Sequence, residues 1–168
     1  DDAWRDAIGD DRGFTVGLNF QGSPDFPHDQ FRSLDVRNFK PLFERDDVAM
    51  VSIQKGFGED QLDKLPKNAL TAVGHLLDTG DDAFVDTARC IHSMDLLITS
   101  DTAVAHLAGA MGCRVWVVLS TVVDWRWGLK GELSSWYPSM RLFRQRKRGE
   151  WGAVIDDLML ALDQDLAR

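Results

Sequence analysis

A polar turn followed by a single histidine is the part of this sequence best suited to chemistry. It lies in residues 98–112, ITSDTAVAHLAGAMG, where an apolar run meets Asp101 and Thr102 and leads into a small-residue stretch that carries His106. If a strand precedes the turn and a helix follows it, the first helical N–H groups, including that of Ala103, can bind an anion. His106 then rises from the same side of the first turn. The alternative is a plain helix cap by Asp101 beside a packed histidine, which is a common arrangement.

Two further segments carry candidate ligand-binding residues. The long polar segment 21–33 contains Arg32, whose guanidinium can bind a phosphate through two N–H groups. Gln54 and Lys55 follow another apolar run, and Lys55 places a charge where parallel sheets bind ligands. Taken alone, a solvated surface arginine and an ordinary lysine at a strand end are the more common cases.

Segment 122–138 is rich in aromatic residues, with Trp125, Trp127, Trp136 and Tyr137. Such a density is typical of either a stacking wall beside a ligand or a cap folded over the core. For most of these residues the cap is the favoured interpretation.

Short apolar runs alternate with helix-like segments along the chain. Strands are predicted at 14–20, 48–55, 95–100, 114–120 and 141–145, with a further short strand near GHLLDTG in the least clear region, 66–84. Helices are predicted at 1–8, 36–46 with Pro41 near its start, 56–65, 84–94, 102–112 with Gly112 as its C′ residue, and 150–168. The runs are continuously apolar, which indicates burial on both faces of a parallel sheet. We therefore predict an α/β fold with a Rossmann-like, doubly wound parallel sheet.

Composition limits the class of protein further. The 168 residues suit one globular domain, and no apolar run approaches the ~20 residues that span a bilayer. The net charge of -8 disfavours a nucleic-acid-binding surface. Cys90 and Cys113 have no metal-like spacing and are expected to be reduced thiols of a cytoplasmic protein. The chain has no nucleophile elbow, zinc spacing, Walker lysine or dinucleotide-binding glycine motif.

Residues 98–112 resemble the Asp-Thr-(Gly/Ala)-x-x-His-(Leu/Ile)-x-(Ala/Gly)-Ala signature of the heptosyltransferase superfamily, glycosyltransferase family 9. The wider chain is similar to the C-terminal glycosyltransferase-like region of bacterial tetratricopeptide-repeat proteins. The supporting segments fall between residues 14 and 160 and include VGLNFQGSPDF, FRSL, VSIQKG, VVDWRWGL, SSWYPSMRLFRQ and GEWGAVIDDL.

The resemblance implies the C-terminal half of a GT-B glycosyltransferase. Residues 1–168 would form a single nucleotide-sugar-binding domain, with the N-terminal acceptor domain, and the catalytic base it carries, outside this chain. The donor would be a nucleotide-diphosphate sugar, used without a metal or other cofactor, and the acceptor a glycan, lipopolysaccharide or protein. Peripheral membrane association of the parent protein and homo-oligomerisation stay open.

The resemblance also implies roles for individual residues. The catalytic group would be Arg32, Asp101 and His106, and the donor-binding group Ser33, Gln54, Lys55, Ser100, Thr102 and Ala103. Thr102 and Ala103 would donate backbone N–H groups to the donor diphosphate, and Asp101 would meet donor hydroxyls. The alternatives are a non-catalytic protein-interaction module derived from a GT-B half, or another Rossmann-type binder of nucleotides or phosphates.

Overall fold

The computed structural model describes residues 2–8 and 13–167, the Asp2 side chain excepted. Six parallel strands form one sheet in the order β3-β2-β1-β4-β5-β6. The strands are β1 Thr15–Asn19, β2 Ala49–Ser52, β3 Thr71–Ala72, β4 Leu96–Ser100, β5 Val115–Leu119 and β6 Met140–Arg144. The α-helices are α1 Asp2–Ile8, α2 Asp29–Arg32, α3 Lys40–Phe43, α4 Val85–His92, α5 Ala103–Ala110 and α6 Gly152–Leu166. The predicted Rossmann-like, doubly wound fold is confirmed.

The strand order reverses between β1 and β4. The chain builds outward from β1 to β3, then returns to place β4 on the other side of β1, with Leu18 opposite Ile98 and Asn19 opposite Thr99. Ligands of doubly wound sheets bind at such a switch point, beyond the carboxyl ends of the strands. The fold therefore selects the ends of β1 and β4 as the place to look for a site.

The sheet carries an apolar core on each face. Neighbouring residues of β4 divide between them, since Ile98 belongs to the core under α6 and Leu97 to the core under α4 and α5. Successive strand side chains point to opposite faces, so burial on both sides requires continuously apolar strands. This is the physical cause of the pattern in the sequence.

The predicted helices at 36–46 and 56–65 are only partly confirmed. The first is a 3-10 turn, Val36–Phe39, followed by the single α-turn of α3, and the second is the 3-10 helix Glu59–Lys64. The predicted strand near GHLLDTG is wrong in position. That strand is Thr71–Ala72, and Gly74–Leu76 forms a 3-10 turn.

The close packing of Gly74 explains why the strand ends before the GHLLDTG segment. A Cβ at Gly74 would lie 1.8 Å from the backbone carbonyl oxygen of Gln54, so the chain turns there with its backbone against the end of β2. At the end of α5, Gly112 has a φ of 72°, as expected of the C′ residue. Cys90 and Cys113 are both free thiols. No helix among the described residues is long and apolar enough to cross a membrane.

Candidate functional site

Asn19 joins the ends of three strands. Its Nδ2 donates to Gln54 Oε1 at 3.0 Å, and its Oδ1 accepts from Thr102 Oγ1 at 3.0 Å and from Thr99 Oγ1 at 3.2 Å. All four side chains are buried. Sequence analysis missed Asn19, although a polar amide closing an apolar strand at the ligand edge is a usable signal.

Gln54 holds the loop that follows β1. Its Oε1 accepts from the backbone N–H groups of Phe20, at 2.9 Å, and Gln21, at 3.0 Å, besides Asn19. Its Nε2 donates to the carbonyls of Gln21, at 2.9 Å, and Phe57, at 2.6 Å. These bonds use both amide donors and leave little acceptor capacity, so Gln54 shapes the site while bordering its cavity.

Arg32 ties the segment after β1 to the turn after β4. Its Nε donates to Asp29 Oδ1 at 2.9 Å, its Nη1 donates to the carbonyl of Asp101 at 2.7 Å, and its guanidinium lies 3.9 Å from the centre of the Phe26 ring. The described residues use two of its five N–H donors, so three are left for a ligand. Ser33 donates to the other oxygen of Asp29 at 2.8 Å but lies outside the cavity lining.

The turn after β4 leads into α5 with Thr102, and not Asp101, in the N-cap position. The alternative in which Asp101 caps the helix is therefore wrong. Thr102 turns its hydroxyl to Asn19, and the first bond within the helix runs from Ala105 N–H to the Thr102 carbonyl. The N–H groups of Ala103 and Val104 precede that bond, and both residues line the cavity.

Asp101 and His106 both line this cavity. Burial raises the pKa of the Asp101 carboxyl, and the positive charge of Arg32 opposes this shift. Burial also lowers the pKa of His106, opposed by the charge of Asp101. His106 Nδ1 lies 3.1 Å from the Tyr137 hydroxyl, and its ring stacks on Trp127 with centroids 4.8 Å apart. The imidazole is therefore fixed in position and favours its neutral form.

The remaining two predicted residues are placed less favourably for ligand binding. Ser100 is fully buried, its Oγ has no partner among the described residues, and it does not line the cavity. Lys55 does line the cavity, but its Nζ donates to the carbonyls of Leu77 and Asp78. Its charge stabilises the chain after β3.

The aromatic segment divides into two pairs. Trp127 is buried and Tyr137 packs on α5, where a Cβ at Gly109 would meet the Tyr137 ring at 2.5 Å. Trp125 and Trp136 are 70% and 56% exposed and touch edge to face. The prediction of a cap folded over the core therefore holds for Trp127 and Tyr137, but not for Trp125 and Trp136.

These elements enclose a cavity of about 1010 Å³ at the carboxyl edge of the sheet. Seven of the predicted residues line it: Arg32, Gln54, Lys55, Asp101, Thr102, Ala103 and His106. The sequence analysis missed other lining residues, among them Asn19, Phe57, Asp78, Phe84, Asp124 and Arg126. Among the described residues, no group of three or more His, Cys, Asp or Glu side chains is arranged to hold a metal ion.

Solved structures with a similar fold include two glycosyltransferases. One is the E. coli ADP-heptose lps heptosyltransferase II, with a TM-score of 0.60 and 12% identity over 98% of this chain and 51% of that protein. The other is E. coli heptosyltransferase WaaC, solved with ADP-2-deoxy-2-fluoro heptose. It has a TM-score of 0.52 and 11% identity, and the match covers 89% of this chain and 43% of that protein. No protein-family model and no protein of curated function matches the sequence.

The chain thus has a heptosyltransferase-like, glycosyltransferase-type α/β fold and spans about half the length of these two enzymes. The fold expected from the signature at residues 98–112 is confirmed. The relationship to tetratricopeptide-repeat proteins and the C-terminal position within a parent protein stay predictions.

Proposed function

We propose that this chain is the donor-binding domain of a glycosyltransferase and that its 1010 Å³ cavity binds a nucleotide-diphosphate sugar. The observation that carries the proposal is the meeting of Arg32 with the N-terminus of α5 at one wall of the cavity. A cation and free backbone N–H groups are the donors that a diphosphate requires.

The same groups support a chemical role. Glycosyl transfer leaves negative charge on the departing diphosphate, and donors fixed before the reaction stabilise that charge most effectively. Arg32 is held by Asp29 and by the Asp101 carbonyl, so its free N–H groups keep their direction when the charge develops. Asp101 lines the same cavity, and we assign it to accept hydrogen bonds from sugar hydroxyls. The catalytic base and the acceptor site are assigned to a second domain outside this chain.

A calorimetric titration with ADP, UDP and GDP tests the proposal. We expect one nucleotide to bind, and Ala103→Glu to weaken it at least about tenfold, equivalent to about 1.4 kcal/mol. A carboxylate at the first helical position repels the diphosphate, yet it favours the helix dipole, so the fold should persist. Ala110→Glu makes the same charge change at the other end of α5 and should bind normally.

A second candidate is a protein-interaction module that lacks donor chemistry. Two observations favour it. The cavity lining holds four carboxylates, Asp78, Asp81, Asp101 and Asp124, against three cations. Segment 122–136 also exposes large apolar side chains, with Leu129 at 87%. If none of the three nucleotides binds, or if Ala103→Glu and Ala110→Glu weaken binding equally, the donor assignment fails and this candidate takes its place.

A further inference from the structure

The large cavity extends well beyond the wall at which Arg32 meets α5. Its β2–β3 end is defined by Phe57, which follows β2, and by Asp81 and Phe84, which follow β3. In the strand order β3-β2-β1-β4, these segments lie two and three strands away from β4. Neighbouring strands are about 4.8 Å apart, so the separation is roughly 10–14 Å, which an extended nucleoside diphosphate covers. The inference drawn from this end of the cavity rests on the proposed function.

Phe84 is held at this end of the cavity in an unfavourable backbone conformation. Its φ of 65° lies in the left-handed region that bulky residues avoid. It also takes the N-cap position of α4, where its side chain cannot cap the helix. Asp78 supplies the missing cap, since its carboxylate accepts from the N–H groups of Asp86, at 3.0 Å, and Thr87, at 3.3 Å. Strained residues of this kind cluster at ligand-binding sites, so the conformation of Phe84 points to a ligand that its ring contacts.

Phe57 is a second exposed aromatic residue at the β2–β3 end. It is 54% exposed, against 46% for Phe84, and its carbonyl accepts from Gln54 Nε2 at 2.6 Å. Lys55 connects the segments that carry the two rings, because its Nζ donates to backbone carbonyls after β3, among them that of Asp78. Both rings are therefore carried by backbone that side-chain hydrogen bonds hold in place. Fixed aromatic rings that face a cavity are surfaces on which a nucleobase stacks.

Asp81 is the carboxylate of this end that the fold does not use. It lines the cavity and forms no ion pair or hydrogen bond with another described residue. The carboxylate of Asp78 is occupied by the cap of α4, and that of Asp124 is paired with Arg126. Asp101 lies at the other end of the cavity, in the turn before α5. Asp81 is therefore free to accept hydrogen bonds from a base.

We propose that the cavity selects a guanine nucleotide, whose base stacks on Phe84 and Phe57 and donates to Asp81. A carboxylate has two acceptor oxygens side by side and no donor. Guanine presents two adjacent donors to it, the N1–H and the N2 amino group. Adenine and cytosine place an acceptor nitrogen beside their one amino group, and uracil flanks its N3–H with two carbonyls. Guanine is therefore the common base that matches a free carboxylate through two hydrogen bonds.

Calorimetric titrations with GDP, ADP, UDP and inosine diphosphate test the choice of base. Inosine diphosphate lacks only the N2 amino group, and GDP should bind at least about tenfold more tightly than each of the others. Asp81→Asn should weaken GDP by a similar factor and remove its advantage over inosine diphosphate. Asp82→Asn makes the same charge change at the next residue, outside the cavity lining, and should bind GDP normally. Equal binding of GDP and inosine diphosphate by the wild type, or equal effects of the two variants, overturns the proposal.

Phe84→Gly tests whether the ring serves the ligand or the fold. Glycine adopts a φ of 65° without strain, so the midpoint of urea denaturation should not fall. GDP binding should nevertheless weaken at least about tenfold, because the stacking surface is lost. Unchanged affinity for GDP overturns the stacking role, and a fall in stability alongside it shows that the ring only packs against the fold.

Guanosine, which carries no phosphate, separates this inference from the proposed function. If the donor assignment alone fails, GDP binds no more tightly than guanosine, and Ala103→Glu changes neither affinity. If the choice of guanine alone fails, GDP, ADP and UDP bind with similar affinities, and Ala103→Glu weakens all three. Absence of binding by guanosine and by every nucleotide overturns both.

Discussion

His106 shows how the environment of one residue sets its chemistry. Its ring is stacked on Trp127 and its Nδ1 faces the Tyr137 hydroxyl, so the imidazole has lost much of its water. Burial accordingly lowers its pKa from the usual 6.5. A neutral imidazole would meet a donor diphosphate as a hydrogen-bonding group and not as a cation, which leaves the positive charge there to Arg32.

The pKa of His106 predicts a pH dependence of stability. Because the folded state binds this proton less readily than the unfolded state, the contribution of His106 is fully present above pH 6.5 and is lost as pH falls through the folded-state pKa. Urea denaturation should therefore show the wild type losing more stability than His106→Gln between about pH 7.5 and about pH 5.5. Asp101 is half-buried and its pKa is raised, so it acts in the opposite direction, but it is present in both proteins.

An NMR titration of the His106 ring provides the direct measurement. The folded protein should give a lower pKa than the same chain unfolded in urea. A folded-state pKa equal to or above the unfolded value contradicts both the burial argument and the predicted pH dependence.

At the scale of elements, the loops of the site are held by backbone contacts as much as by side chains. Gln54 binds four backbone groups in the segments after β1 and β2, and Lys55 binds the carbonyls after β3. The short 3-10 turn at Gly74–Leu76 brings these segments together, since its backbone lies directly against the end of β2.

Gly74→Ala tests this close approach. The new Cβ would lie 1.8 Å from the Gln54 carbonyl oxygen, and backbone atoms cannot rotate away as a flexible side chain can. We expect a loss of about 1–3 kcal/mol in the free energy of unfolding, as for other overpacked sites. Gly80→Ala is the matched control, because no atom of the described residues lies within 4 Å of a Cβ at that position. Equal stability of the two variants in urea denaturation is the result that contradicts this packing.

At the scale of the whole molecule, one sheet serves two cores. The core under α6 contains Trp116 and the core on the opposite face contains Trp127, and adjacent residues of β2, β4 and β5 enter different cores. If the helices on one face of the sheet unfold, the strands that also form the core on the other face become exposed to water. The domain should therefore unfold as one cooperative unit.

Leu158→Ala and Leu160→Ala in α6 test this coupling. Leu158 is fully buried, whereas Leu160 is 61% exposed. Leu158→Ala should cost about 2–5 kcal/mol, through lost contacts and the cavity left behind. Leu160→Ala should stay within about 0.5 kcal/mol of the wild type. Tryptophan fluorescence and far-ultraviolet circular dichroism should follow a single transition, and two separate transitions for Leu158→Ala would contradict the cooperative model.

The sequence by itself determined the fold class and the main wall of the site. Continuous apolar runs report burial on both faces because strand side chains alternate, and this identified the five longer strands. The turn at 100–102 could also be predicted from the local sequence, because polar residues there join an apolar strand to a helix of small residues. Weaker local signals, as in the one-turn elements between 36 and 76, gave wrong lengths or positions.

Only the tertiary structure decided which groups meet. Arg32 reaches the Asp101 carbonyl across 69 residues, and Asn19 reaches Thr102 across 83. Those contacts depend on strand order and register, which place β4 beside β1, and no local pattern encodes such a pairing.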